Sequence, residues 1–248
     1  MTRLVADLGN SRLKWARVDA TGRLGATLAL PLDDPSAWAS AWDDWGLGDG
    51  AGTDWLVSSV NPPLADRVAG FLAERGVAGV RWCRSVVDVA IRHDVTELHT
   101  GGADRALAVV GALARKRGRG PGIVISCGTA ITVERVSADG VWLGGAIAAG
   151  FRLIAGALHA GTAQLPLIEL GAEPPAPVGR ATVPSLEAGI FWGVVGTVRE
   201  LVDRQEADAH GLGWRVWTGG DAVALAPHAD GPDAEVAPHL VLEGLLLQ

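Results

Sequence analysis

The chain has 248 residues, 48% of them hydrophobic and 20% charged, with a formal net charge of −7. This is the balance of a globular chain, long enough for one large domain or for two of roughly 100 to 150 residues. An acidic surface argues against nucleic acid, whose binding rests on Lys and Arg; no apolar run reaches the ~18 residues of a membrane span, and the amino end shows no signal-peptide pattern, so a cytoplasmic protein without either partner is expected.

In chain order, strands are expected near residues 3–9, 12–18 and 24–30, turning at Gly9-Asn10 and at Ala20-Thr21-Gly22. The first turn lies in Val5-Ala6-Asp7-Leu8-Gly9-Asn10-Ser11-Arg12-Leu13-Lys14, an apolar run, an acidic residue, a Gly turn and a second strand. With no Cβ at Gly9, backbone N–H groups and the Asn10 and Ser11 side chains can close around phosphate oxygens. An ordinary tight hairpin has the same pattern. Asp7, at the strand's end, is a candidate for holding Mg²⁺ directly or through water. Lys14, one of two lysines, suits a phosphate as a point charge and equally suits a strand lysine reaching solvent.

A helix follows Asp33-Asp34-Pro35, where Trp38, Trp42 and Trp45 share one face and read as a packed stripe. Strand 54–59 comes next, then a helix opened by Asn61-Pro62-Pro63 and running to about residue 75. Thr100-Gly101-Gly102-Ala103-Asp104-Arg105 opens the apolar helix 106–114. Gly-rich backbone entering a helix is friendly to anions. Asp104 there is a general base or a helix cap, and Arg105 a grip on a substrate carboxylate or carbonyl. The basic run 115–119 reads as a helix end with Gly118 as its C-cap.

The second half opens with strand 122–126 and paired strands 130–136 and 141–147, joined at Ala138-Asp139-Gly140. Within it, Val124-Ile125-Ser126-Cys127-Gly128-Thr129-Ala130-Ile131-Thr132 repeats the hairpin pattern of the amino end. Two such hairpins suggest a duplicated architecture gripping a nucleotide from both sides. Helices are expected at 150–161 and 183–207, with the surface loop Pro174-Pro175-Ala176-Pro177 between them, then strand 214–218 and a terminal helix from about 238. In Trp217-Thr218-Gly219-Gly220-Asp221 the two glycines allow an adenine ring to lie on backbone, although an ordinary strand-to-helix turn looks the same. Cys83 and Cys127 are too few for a disulfide framework, and Cys127 reads as a small core residue. The six histidines show no metal-ligand spacing.

Three strands followed by alternating helix and strand, twice over, is the order of an α/β protein with a duplicated actin-like, hexokinase-like fold. This ASKHA, ribonuclease H-like class has two mixed-sheet domains, expected here at residues 1–117, carrying the first hairpin, and 118–248, carrying the second.

The chain resembles the type III pantothenate kinases, a family that includes sequences named Bvg accessory factor. The resemblance is carried by Asp7-Leu8-Gly9-Asn10-Ser11 with Lys14, Ser58-Ser59-Val60-Asn61-Pro62, Gly102-Ala103-Asp104-Arg105, and Gly128-Thr129-Ala130 with Thr132. It continues through Gly144-Gly145-Ala146-Ile147 with Gly150, Leu165-Pro166, Thr182 ahead of a helix containing Gly189, Thr218-Gly219-Gly220, and Leu240-Val241-Leu242-Glu243-Gly244-Leu245. Their common order and spacing are more specific than any one of them. The resemblance implies ATP-dependent phosphorylation of pantothenate, the first committed step towards coenzyme A. Asp104 is then the general base, and Gly102, Ala103, Asp104 and Arg105 line the pantothenate pocket. Asp7 through Lys14 (Leu8, Gly9, Asn10, Ser11, Arg12 and Leu13 between them), with Gly128 and Thr129, hold ATP and its metal, and Gly219 and Gly220 take the adenine. Thr182 reaches substrate across a homodimer interface, for which Ile190, Phe191 and Val194 are the expected contacts. A monovalent cation, K⁺ or NH₄⁺, also belongs to the family.

Three positions depart from the family pattern. Ser126 stands where a cation-linked Asp is usual, Val95 falls where a pocket Tyr is usual, and Ala149 replaces a Pro. A serine hydroxyl is a weak ligand alone, so a reduced K⁺ response is expected. An alternative is a catalytically weakened homologue that binds nucleotide or pantothenate as an accessory or regulatory protein; a kinase of another acceptor in the same superfamily would need a different pocket.

Overall fold

The computed structural model describes residues 2–117, 120–171, 173–208 and 213–248. It divides into two compact units, Met1–Arg115 with Leu240–Gln248, and Lys116–His239.

In the first unit β1 (Thr2–Leu8), β2 (Leu13–Val18) and β3 (Leu24–Leu30) form an antiparallel meander. β4 (Thr53–Ser59) and β5 (Val80–Cys83) add in parallel, giving the order β3-β2-β1-β4-β5. Antiparallel neighbours need only a tight turn, such as the one at Gly22 with its φ of 79°. Parallel neighbours need crossovers, supplied by α1 (Pro35–Asp44) and α2 (Pro62–Glu74). Both helices start as the sequence expects. Asp34 Oδ1 accepts from the Ser36 and Ala37 N–H groups at 3.0 and 3.1 Å, Asn61 Oδ1 accepts from Leu64 N–H at 3.2 Å, and a Pro follows each cap. The tryptophan stripe is core: Trp38 and Trp42 are buried, and the Trp42 and Trp55 rings lie parallel at 6.2 Å. Truncating a buried ring such as Trp55 to Ala costs about 3–5 kcal/mol.

Two elements here differ from expectation. β5 and the 3₁₀ turn Val86–Asp88 occupy a stretch without an assigned element, because four residues are too few to show a period. The terminal helix α7 (Leu240–Leu245) belongs to the first unit, not with residues 118–248, because it packs on α3 (Ala103–Arg115). Glycines permit that approach: a Cβ on Gly244 would lie 1.9 Å from Leu107 O, and one on Gly111 2.4 Å from Leu240 O. Arg115 Nε and Nη2 each donate to Glu243 at 2.5 Å across the same pair of helices. The expected cap Gly118 lies outside the described residues.

In the second unit β6 (Gly122–Cys127), β7 (Ala130–Val136), β8 (Trp142–Ala149) and β9 (Trp214–Thr218) follow the order β8-β7-β6-β9, repeating the first sheet's meander and parallel fourth strand. A fifth position is reduced to one parallel bridge: Trp217 N–H donates to Glu235 O at 2.8 Å, and Ala237 N–H to Trp217 O at 2.7 Å. α4 (Phe151–Gly161), α5 (Thr182–Ala207) and α6 (Ala222–Ala229) complete the unit. Phe191 and Val194 of α5, expected at a subunit contact with Ile190, are instead packed among the core residues of β6 and β7, and Ile190 is buried as well. Among the described residues no helix is long and apolar enough to cross a membrane.

Candidate active site

The first unit builds a charged row across its sheet. Strand register sets Asp7 opposite Lys14 on β2 and opposite Ser58 on β4, one residue before β1 ends. Gly9 N–H donates to Arg12 O at 3.2 Å and closes the hairpin beyond it. The Asp7 carboxyl is pushed up to about 6, chiefly by burial and then by the negative charge of Asp104, against the pull of the Lys14 ammonium and the Ser58 hydroxyl. Ser58 Oγ is buried and, among the described residues, meets no partner within strict hydrogen-bond geometry, so its pull on Asp7 is that of a nearby hydroxyl dipole rather than of a formed bond. Asn10 and Arg12 are exposed, Ser11 is half-buried, and Leu8 and Leu13 are fully buried. Leu8 and Leu13 therefore offer a ligand only their backbone.

Asp104 and Arg105 stand in the first turn of α3, both half-buried. A bridge between Ser85 and Gly102, with Val86 N–H donating to Gly101 O at 3.2 Å, fixes the approach to the helix. Asp104 Oδ1 accepts from Arg105 N–H at 2.9 Å and lies so close to Gly102 that a Cβ there would sit 2.4 Å away. Close approach, rather than backbone angle, favours glycine at 102, since a methyl there would displace the Asp104 carboxylate. Ala103 is fully buried. The structure thus brings Asp7, Lys14 and the Gly102–Arg105 turn into one electrostatic neighbourhood.

The second unit carries the corresponding row in neutral form. Ser126 is flanked in register by Thr132 on β7 and Thr218 on β9, and Thr132 Oγ1 is buried without a hydrogen-bond partner among the described residues. Beyond it, Gly128 N–H donates to Ala130 O at 3.1 Å. Gly219, with a φ of 95°, packs onto this hairpin: a Cβ there would lie 2.1 Å from Cys127 O, to which Asp221 N–H donates at 3.1 Å. Gly220 faces open space, and Gly128 and Thr129 are half-buried. Cys127 is a core residue whose thiol burial pushes far up, which excludes it as a nucleophile. Thr182 is the exposed first residue of α5, and its side chain makes no hydrogen bond among the described residues. No group of three His, Cys, Asp or Glu side chains among the described residues can hold a metal.

One feature of the first unit was only partly signalled in the sequence. A cavity of about 280 Å³ opens beyond the carboxyl ends of β4 and β5, lined by Ser59, Val60, Arg84, His99, Thr100 and Gly102 among others. Arg84 and His99 belong to segments with no pattern of their own, and only the unexpected β5 brings Arg84 here. Crevices at the carboxyl ends of parallel strands are where α/β sheets bind ligands.

The family model for type III pantothenate kinases matches residues 3–204. A type III pantothenate kinase from Acidiphilium cryptum is 32% identical over 252 aligned residues, covering 99% of this chain and 93% of the relative. One from Thiobacillus denitrificans is 36% identical, covering 98% and 94%. Among solved structures, a protein from Sinorhizobium meliloti named as a 2-dehydro-3-deoxygalactonokinase superposes with a TM-score of 0.60 at 13% identity, over 99% of this chain and 97% of that one. That likeness shows the fold, the duplicated actin-like architecture of the sugar kinases.

Proposed function

The chain belongs to the type III pantothenate kinase family, and we propose that it transfers the γ-phosphoryl group of ATP to the primary hydroxyl of pantothenate, giving 4′-phosphopantothenate in the first step of coenzyme A biosynthesis. The observation that supports this most directly is the acidic pair in the first unit. Asp7 is raised to about 6 by burial and by Asp104, so it is relieved by a cation. These residues fit Mg²⁺ held by one carboxylate, water and phosphate oxygens rather than by a protein cage. When bound, the ion neutralises charge on the transferring phosphate.

The chain's own residues supply positioning and proton transfer. N–H groups of the Gly9–Arg12 turn and the Lys14 ammonium hold phosphate oxygens in the first unit, and Gly128 and Thr129 offer a second phosphate hairpin, with Gly219 and Gly220 as an adenine platform. Asp104 accepts the hydroxyl proton of the acceptor, and Arg105 holds an acceptor oxygen beside it. The partner subunit's Thr182 contacts the same acceptor in a homodimer. The Ser126 row offers a monovalent cation three neutral hydroxyls and no carboxylate, so K⁺ or NH₄⁺ is held weakly, through hydroxyls, backbone carbonyls and water, and the response to it is reduced. A cytoplasmic location accords with two free, buried cysteines.

A coupled ADP-release assay with and without pantothenate, in Na⁺ and in K⁺ buffers, tests the reading. ADP release should require pantothenate and change little between the salts. Release that ignores pantothenate, or no release, overturns it.

A further inference from the structure

We propose that Ser58 is a positioning residue for the transfer step: its hydroxyl donates to one oxygen of the Asp7 carboxylate when the metal–nucleotide complex is bound, and so fixes the orientation in which that carboxylate meets the ion. The inference rests on the kinase reading and deepens it. Ser58 is the next-to-last residue of β4 and stands directly opposite Asp7 in the parallel β1–β4 register. Side chains paired in register on adjacent strands point to the same face of a sheet. The end of this pair is held beyond the strands themselves: Val60 N–H donates to Leu8 O at 3.3 Å, and Asn61 N–H to Ser59 Oγ at 3.1 Å. The register is thus pinned at the site, and hydroxyl and carboxylate stay neighbours.

The hydroxyl is in reserve rather than in use. Ser58 is fully buried, and its Oγ has no hydrogen-bond partner among the described residues. Buried hydroxyls are seldom left in that state. Its other in-register neighbour is Cys83 on β5, whose thiol donates to Asp88 O at 3.7 Å. The Asp7 carboxylate is therefore the acceptor left to Ser58 within the row, while Lys14 flanks that carboxylate from β2 and Asp104 bears on it from α3. A carboxylate accepts through two oxygens and turns easily about its last torsion, so a single buried donor is enough to choose its orientation. The second sheet offers the comparison. Thr218 stands on β9 beside Ser126 as Ser58 stands on β4 beside Asp7, again a buried residue with a hydroxyl, but there it has no carboxylate to orient.

The test measures calorimetric binding of a non-hydrolysable ATP analogue, with N–H in place of the β–γ bridging oxygen, in Mg²⁺ and in EDTA. The readout is the ratio of Kd in EDTA to Kd in Mg²⁺, a quantity that general loss of folded protein leaves unaltered. Ser58→Ala should lower this ratio roughly fivefold or more, the scale of one lost hydrogen bond, with the Kd in EDTA little changed, and should raise the Mg²⁺ concentration needed for half-maximal turnover. Ser58→Thr, which keeps the hydroxyl, should recover most of the ratio. A ratio unchanged in Ser58→Ala, with wild type active on pantothenate, overturns the Ser58 assignment alone, even if both constants weaken together. Wild type that releases no ADP with pantothenate overturns the kinase reading and the assignment with it.

Discussion

The Asp104 carboxylate raises the proton affinity of Asp7, although one residue begins a helix and the other ends a strand far earlier in the chain. Burial does the larger part, and together they move the Asp7 carboxyl from an ordinary 3.8 to about 6. Without ligand, the folded protein thus binds this proton more tightly than the unfolded chain. That contribution to stability is complete below about pH 4 and is lost as pH rises through about 6, on the order of 2–3 kcal/mol in all. Asp7→Asn should therefore melt higher than wild type at pH 7.5 and show a flatter pH dependence between 4 and 7, while losing ATP turnover. Superimposable melting profiles would remove Asp7 as the strained group.

Asp104→Asn keeps the shape and removes the proton acceptor. Turnover should fall at least ~100-fold while calorimetric ATP binding persists. Gly102→Ala approaches the same carboxylate from behind, since its new methyl would lie 2.4 Å from Asp104 Oδ1. It should lower kcat with a smaller effect on melting temperature. Near wild-type turnover in both variants would leave Asp104 as a helix-start residue only.

The shared-site proposal predicts complementation. An Asp104→Asn subunit mixed with a Thr182→Ala subunit should give mixed dimers with one good site each, and activity above either parent. Because Phe191 and Val194 are buried in the core of their own unit, their truncation should lower stability rather than selectively dissociate dimers. Mixed dimers that form yet stay inactive would sink the shared site.

At Ser126 the prediction concerns salt. Wild type should turn over at similar rates in KCl and NaCl, whereas Ser126→Asp should gain activity and melting temperature in KCl over NaCl. Without a bound ion, the new carboxylate beside Thr132 and Thr218 is unpaired and destabilising. Strong K⁺ activation of the wild type would overturn the neutral-row argument.

What the sequence made legible were features coded locally. Gly-Asn and Gly-Thr turns between β-branched runs announce the two hairpins, and Asp34-Pro35 and Asn61-Pro62 announce their helices. Less legible was anything set by a partner. Apolar spacing on α5 shows that Phe191 and Val194 are covered, but not whether a sheet or a second subunit covers them. The same ambiguity hid the attachment of α7 to α3, and four-residue β5 carried too little pattern to reveal Arg84. The coupling of Asp7 with Asp104 is a tertiary property, so sequence could nominate both acids without showing that each feels the other.

The docking of α7 on α3 also constrains how the protein is born. The second unit is one continuous stretch, whereas the first recruits residues 240–245 to cover Leu107 and Gly111. On a ribosome, the first sheet emerges early and waits with part of its helical layer bare until the whole second unit has been made. The nascent first unit is thus the vulnerable species, exposed to proteases and chaperones for most of synthesis, and substitutions at Gly244 should reduce yield in cells by prolonging that wait.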